Sequence, residues 1–161
     1  MYKAIVENIR IDKAINLPVI FLKVIEKDKV IPIHVGMLEA SAVVSAMQKI
    51  KFDRPMTHDL FKNVLKELNV SVAKAELTDI RDNTYYAKIW LMLKDKVLDI
   101  DARPSDAIAI ALRFNAPIFV NKKVMEKSNL KGKYQIMDRS EQGKKLAKYL
   151  RDLPADKFWK V

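Results

Sequence analysis

Two short polar stretches hold most of the side chains in this chain that could do chemistry. The first is Arg54-Pro55-Met56-Thr57-His58-Asp59-Leu60. Its arginine offers a planar fork of donors to a phosphate, while His58 or Asp59 can accept a proton or ligate an ion. A structural reading stands beside this one: Thr57 caps a helix start and Asp59 complements the helix dipole in the first turn. The second stretch is Asp99-Ile100-Asp101-Ala102-Arg103-Pro104-Ser105-Asp106. Asp99 and Asp101 are two apart in a strand, so they share a face and can hold a divalent cation. Arg103, Ser105 and the start of the following helix can then receive a phosphate, with Asp101 and Asp106 available for proton transfer. The structural alternative is that Ser105 and Asp106 satisfy the helix start and Asp101 pairs with Arg103.

Other chemistries lack their residues. There is no cysteine, which excludes a disulfide framework and a thiolate metal site. The two histidines, His34 and His58, are too few for a multi-histidine centre. No Gly-rich phosphate loop, paired-histidine metal motif or Ser-centred elbow occurs. No organic cofactor is expected, and magnesium or manganese on carboxylates is the cofactor these residue types allow.

The elements that must position both stretches can be read from periodicity. Strands are expected at Tyr2–Asp12, Pro18–Glu26 and Val30–Val35, the last with one side free because Pro32 cannot donate to a ladder. Gly36 breaks the third strand, and a small-residue helix follows over Met37–Ile50. A second helix over Thr57–Asn69 carries an apolar stripe of Leu60, Phe61, Val64, Leu65 and Leu68. Strands then fall at Val70–Thr78, Tyr85–Lys94 and Val97–Asp101, with a polar turn from Asp79 to Asn83. Tyr85, Tyr86 and Trp90 share one of these strands, where they can stack on bases or fill the core. Pro104–Phe114 is a helix apolar nearly all round, to be deeply buried, and Pro117–Val120 is a last strand.

The order βββα-α-βββα-β suggests internal duplication. Lys27-Asp28-Lys29-Val30 recurs as Lys94-Asp95-Lys96-Val97, an offset of 67 residues. At that offset His34 and Glu39 meet Asp101 and Asp106, and Gly36 and Met37 stand where the second half has Arg103 and Pro104. The fold class is therefore α+β, with mixed sheets from a duplicated βββα unit and an extra helix between the halves. The repeats cover about residues 2–50 and 70–116 of a domain spanning 1–120, and 121–161 is a basic extension with a helix near 141–151.

The net charge of +10 is unevenly placed. Residues 1–120 hold 18 basic and 15 acidic side chains, whereas residues 121–161 hold 12 and 5. The extension is either a solvated, solubilising tail or an electrostatic arm for a polyanion such as RNA or DNA. The N-terminus has no apolar signal region, and no stretch approaches the roughly 20 apolar residues that span a bilayer. No membrane association is expected, and the cytoplasm is the expected compartment.

The two motifs together, Arg54-Pro55-Met56-Thr57-His58-Asp59-Leu60 and then Asp101-Ala102-Arg103-Pro104-Ser105-Asp106-Ala107-Ile108-Ala109, resemble the bifunctional nuclease domain family. The resemblance covers roughly Met1 to Val120. It implies a compact α+β fold that tends to form homo-oligomers, and hydrolysis of RNA and DNA with little sequence preference. It supplies no agreed catalytic set. The candidates therefore come from chemistry: Asp101, Asp106, His58 and Asp59 as acid, base or ligand; Arg54, Arg103 and Ser105 for phosphate; Asp99 and Asp101 for a metal. The rival reading is a non-catalytic module that binds nucleic acid or a small ligand.

Overall fold

The computed structural model describes residues 1–13 and 15–128. Three strands open the chain: β1 (Tyr2–Asp12), β2 (Leu17–Val24) and β3 (Lys29–His34). Helices α1 (Met37–Met47) and α2 (Thr57–Glu67) follow, then β4 (Val70–Arg81), β5 (Thr84–Leu93) and β6 (Lys96–Ala102). Helix α3 (Pro104–Phe114), strand β7 (Ile118–Val120) and helix α4 (Lys122–Lys127) complete the described residues. The expected helix near 141–151 lies outside them.

All seven strands form one mixed sheet in the order β3-β2-β1-β7-β4-β5-β6. Short β7 sits between the halves, antiparallel to β1 and parallel to β4, which makes the fold α+β. Pro32 lies on an edge strand, where its missing N–H interrupts no ladder. The two halves pair differently: Lys88 faces Asp101, but their counterparts Phe21 and His34 do not meet, since Phe21 faces Pro32. The cause is the turn. Asp82-Asn83 and Lys94-Asp95 close tight two-residue hairpins, whereas a turn of 3-10 helix over Ile25–Lys27 lengthens the β2–β3 connection.

One core cluster joins Ile20, Leu22, Ile31, Ala75, Leu77, Ala87 and Ile89 of the sheet to the inner sides of the helices. Helix α3 contributes Ala107, Ile108, Ala109, Ile110 and Ala111, so its all-round apolar composition does reflect deep burial. Pro104 occupies its first turn and Asn115, in the left-handed region, ends it. The polar stretch Asp79–Arg81, expected as turn, continues β4 because Asp79 is held by Arg81 and Lys127. The fold also runs on past Val120: Asn121 caps α4, and Val124 is fully buried.

Candidate active site

Strand β6 delivers Arg103 to the first position before α3, where it is the N-cap residue. Its Nε and one terminal nitrogen donate to both oxygens of Asp106, at 2.6 and 3.2 Å. The other terminal nitrogen donates to Glu39 Oε1 of α1 at 2.8 Å. On the far side, His58 Nε2 of α2 lies 3.0 Å from Asp106 Oδ1. Three helices thus meet through four side chains, and the two polar turns are joined by the His58–Asp106 contact. Burial pushes the Asp106 carboxyl up, but hydrogen bonds from Arg103 and then His58 outweigh it and hold the group below its ordinary value. The Arg103 guanidinium is raised in turn, chiefly by its hydrogen bonds to Asp106.

Beside this network lies an open cavity of about 990 Å³. Although β3 and β6 are opposite edges of the sheet, His34 and Asp101 near their ends both line it, so the sheet curls round on itself. The first turns of α1 and α3 open onto the cavity at Gly36 and at Arg103 to Ser105, and neither helix start has a side-chain cap. Tyr85, Tyr86 and Lys127 add two rings and a second cation to the wall. Gly36 leaves room for the Glu39 carboxylate that reaches Arg103: a Cβ there would meet that carboxylate and require it to move aside.

The bifunctional nuclease domain matches residues 20–133 of this chain. The chain belongs to the bifunctional nuclease domain family. It is 34% identical over 125 residues to an uncharacterized protein of Mycobacterium tuberculosis, covering 78% of this chain and 74% of that one. It is 27% identical over 107 residues to bifunctional nuclease 1 of Oryza sativa subsp. japonica, covering 65% of this chain and 32% of the rice protein. With bifunctional nuclease 2 of Arabidopsis thaliana the identity is 30% over 95 residues, 57% of this chain and 29% of that protein. The match therefore spans about a third of the plant proteins.

Within this bifunctional nuclease domain the candidate residues are sorted by the fold. Asp101, Arg103 and Ser105 line the cavity, with Ser105 buried and Asp101 exposed. His58 and Asp106 stand behind Arg103 and do not line it. Asp59 closes instead on Arg113 of α3, at 2.6 Å. Arg54 is exposed on the loop before α2 and takes no part in the network. Asp99 is ion-paired with Lys88, which holds its carboxyl below the ordinary value. Asp101 does not pair with Arg103, and it makes no hydrogen bond or ion pair among the described residues. Thr57 is the first helical residue, with Met56 as N-cap, so the threonine hydroxyl provides no cap.

Among the described residues no three His, Asp or Glu side chains gather as ligands, so they form no complete cation cage. A single carboxylate such as Asp101 still suits magnesium, which keeps several waters and binds through one or two carboxylates plus substrate phosphate. Glu39, Lys127 and Gly36 line the cavity without having been site candidates in the sequence. Glu39 had a signal, since the 67-residue offset made it the counterpart of Asp106. Gly36 shared that signal as the counterpart of Arg103, and Lys127 had none beyond its type. Arg113 was legible only as the one basic residue of an apolar helix.

Proposed function

We propose that the cavity receives a strand of RNA or DNA and that a phosphodiester bond is hydrolysed beside Arg103, with little dependence on base sequence. The observation that carries this reading is the guanidinium. Three of its five donors hold Asp106 and Glu39, while its side chain stays 65% exposed with two donors left for phosphate. Asp101 accepts the proton of the attacking water, the phosphorus–oxygen ester bond opposite breaks, and the leaving oxygen takes a proton from solvent. Ser105 and the uncapped N–H groups of α3 add donors for the charge that builds on phosphate. Asp106, Glu39 and His58 position Arg103, and Asp59 anchors α2. A magnesium or manganese ion would be held by Asp101 and would stabilise charge on the leaving oxygen. Family membership and the plant relatives' name support nucleic acid as the substrate class.

One observation favours a second reading, a binding module without hydrolysis. Two carboxylates already neutralise Arg103, as a purely structural tie between α3 and α1 would require. The separating experiment is an assay on single-stranded RNA and DNA, with and without EDTA, comparing wild type with Asp101→Asn and Arg103→Ala. Loss of a general base should lower cleavage roughly a hundredfold or more. Equal cleavage by all three proteins would remove the hydrolytic role from this site, and loss with EDTA alone would report a cation requirement.

A further inference from the structure

His34 has no part in the hydrolysis described so far, yet it lines the same cavity as Asp101 and Arg103. It ends β3 two residues before Gly36, the N-cap of α1, just as Asp101 stands two residues before Arg103, the N-cap of α3. The two positions correspond at the 67-residue offset, but one holds an imidazole and the other a carboxylate. Strands β3 and β6 are opposite edges of the sheet, so these two groups reach the cavity from its two ends. The ring is also held in place. Its Nε2 lies 3.4 Å from Asp12 Oδ2 of β1, a contact that spans the intervening strand β2. Its Nδ1 has no partner among the described residues, and the side chain is 38% exposed. A carboxylate on one ring nitrogen orients the imidazole and leaves the other nitrogen for a substrate. The charged groups around the ring are Asp12 and, on the cavity wall, Glu39, Asp101, Arg103 and Lys127.

We infer that His34 is the general acid of the hydrolysis, giving its Nδ1 proton to the leaving oxygen that solvent would otherwise protonate. This role rests on the hydrolytic reading of the cavity proposed above. In a phosphoryl displacement the attacking and leaving oxygens lie roughly in line, so base and acid belong on opposite sides of the phosphorus. Asp101 and His34, coming from the two edges of the sheet, meet that requirement around a phosphate held by Arg103. Asp101 takes a proton from water as the water oxygen bonds to phosphorus. The phosphorus–oxygen ester bond opposite breaks, and the imidazolium passes its Nδ1 proton to the departing oxygen. The ring is left neutral, with its remaining proton toward Asp12. Asp101 then releases a proton to solvent and His34 regains one, so diester and water become monoester and alcohol. Imidazole suits the acid's part because it gives and regains a proton near neutral pH, which an ordinary carboxyl does not. Asp12 is a positioning residue that acts through the ring.

The test compares two substrates of the full-length chain. A sugar hydroxyl needs a proton in order to leave, whereas p-nitrophenolate leaves as the anion. His34→Gln should therefore slow cleavage of a single-stranded oligonucleotide about a hundredfold more than cleavage of a thymidine p-nitrophenyl phosphate diester. Asp12→Asn should show the same split to a smaller extent, because it disturbs the acid only through its orientation. Asp101→Asn should slow both substrates alike, since the base acts on water whichever oxygen leaves. Equal losses from His34→Gln on the two substrates would overturn the inference and make His34 a binding or structural residue. Oligonucleotide cleavage by His34→Gln at the wild-type rate would overturn it too, while leaving hydrolysis at the cavity intact. A wild type that cleaves neither substrate would remove the hydrolytic reading itself, and the acid with it.

Discussion

Asp106 is the residue on which the charge of the Arg103 network turns. Its carboxylate accepts from Arg103 twice and faces His58, so neutralising it leaves Arg103 with Glu39 alone. Burial favours the neutral acid, and the hydrogen bonds from Arg103 and His58 more than reverse that, so the folded-state value lies below the ordinary 3.8. A depressed carboxylate stabilises the fold fully above its unfolded value, and that contribution is lost as the pH falls through the lower folded value. The melting temperature of Asp106→Asn should therefore lie below that of wild type at neutral pH. The gap should close in the acid range below about pH 4, because wild type then carries a neutral group there too. Melting curves of both proteins from neutral to strongly acid pH check this; a gap that stays constant would mean the carboxylate charge is not what matters.

At the scale of elements, Arg113 ties three helices together. Its buried guanidinium donates to Asp59 of α2, to the Ala42 carbonyl and Ser45 hydroxyl of α1, and to the Ala109 carbonyl of α3. Removing one partner of a buried pair typically costs about 3–5 kcal/mol, because the other charge is left without compensation. At about 2–4 °C per kcal/mol, Arg113→Met should melt roughly 10 °C below wild type. Asp59→Asn should also destabilise, and the double variant should lose less than the two single losses added, as a thermal double-mutant cycle would show. Strictly additive losses would separate the two residues. This contact also shows what the sequence could not disclose. Pro104 and Asn115 bound α3 by local chemistry, so its limits are legible. Periodicity located α2 and its stripe, but a stripe reports only that something apolar is expected nearby, and here it points away from the core. The polar Asp79 looked like turn because the residues holding it, Arg81 and Lys127, include one 48 positions away. Arg103 meets Glu39 across 64 positions, and in the sequence only the repeat offset links the two junctions.

Across the whole molecule the question is where a polyanion would be felt. The described cavity offers Arg103 and Lys127, and both are already paired, with Asp106 and Glu39 and with Asp79. Most of the excess positive charge lies instead in residues 121–161, with 12 basic and 5 acidic side chains. Of these, Lys122 pairs with Glu126 inside α4, and the carbonyls of Met125 and Ser128 accept from Lys29 of β3. Cutting the chain at Val120 would therefore remove core packing together with charge, which makes truncation there a poor probe. Replacing Lys131, Lys133, Lys144, Lys145 and Lys148 by glutamine in the full chain changes the charge and leaves α4 intact. Each phosphate contact on a single strand contributes about 0.7 to the salt slope, so loss of all five should lower it by roughly three. Fluorescence anisotropy of a labelled single-stranded oligonucleotide across a salt series reads that slope. A slope unchanged by the five replacements would confine nucleic-acid contact to the cavity's own cations, and the positive extension would then serve solubility.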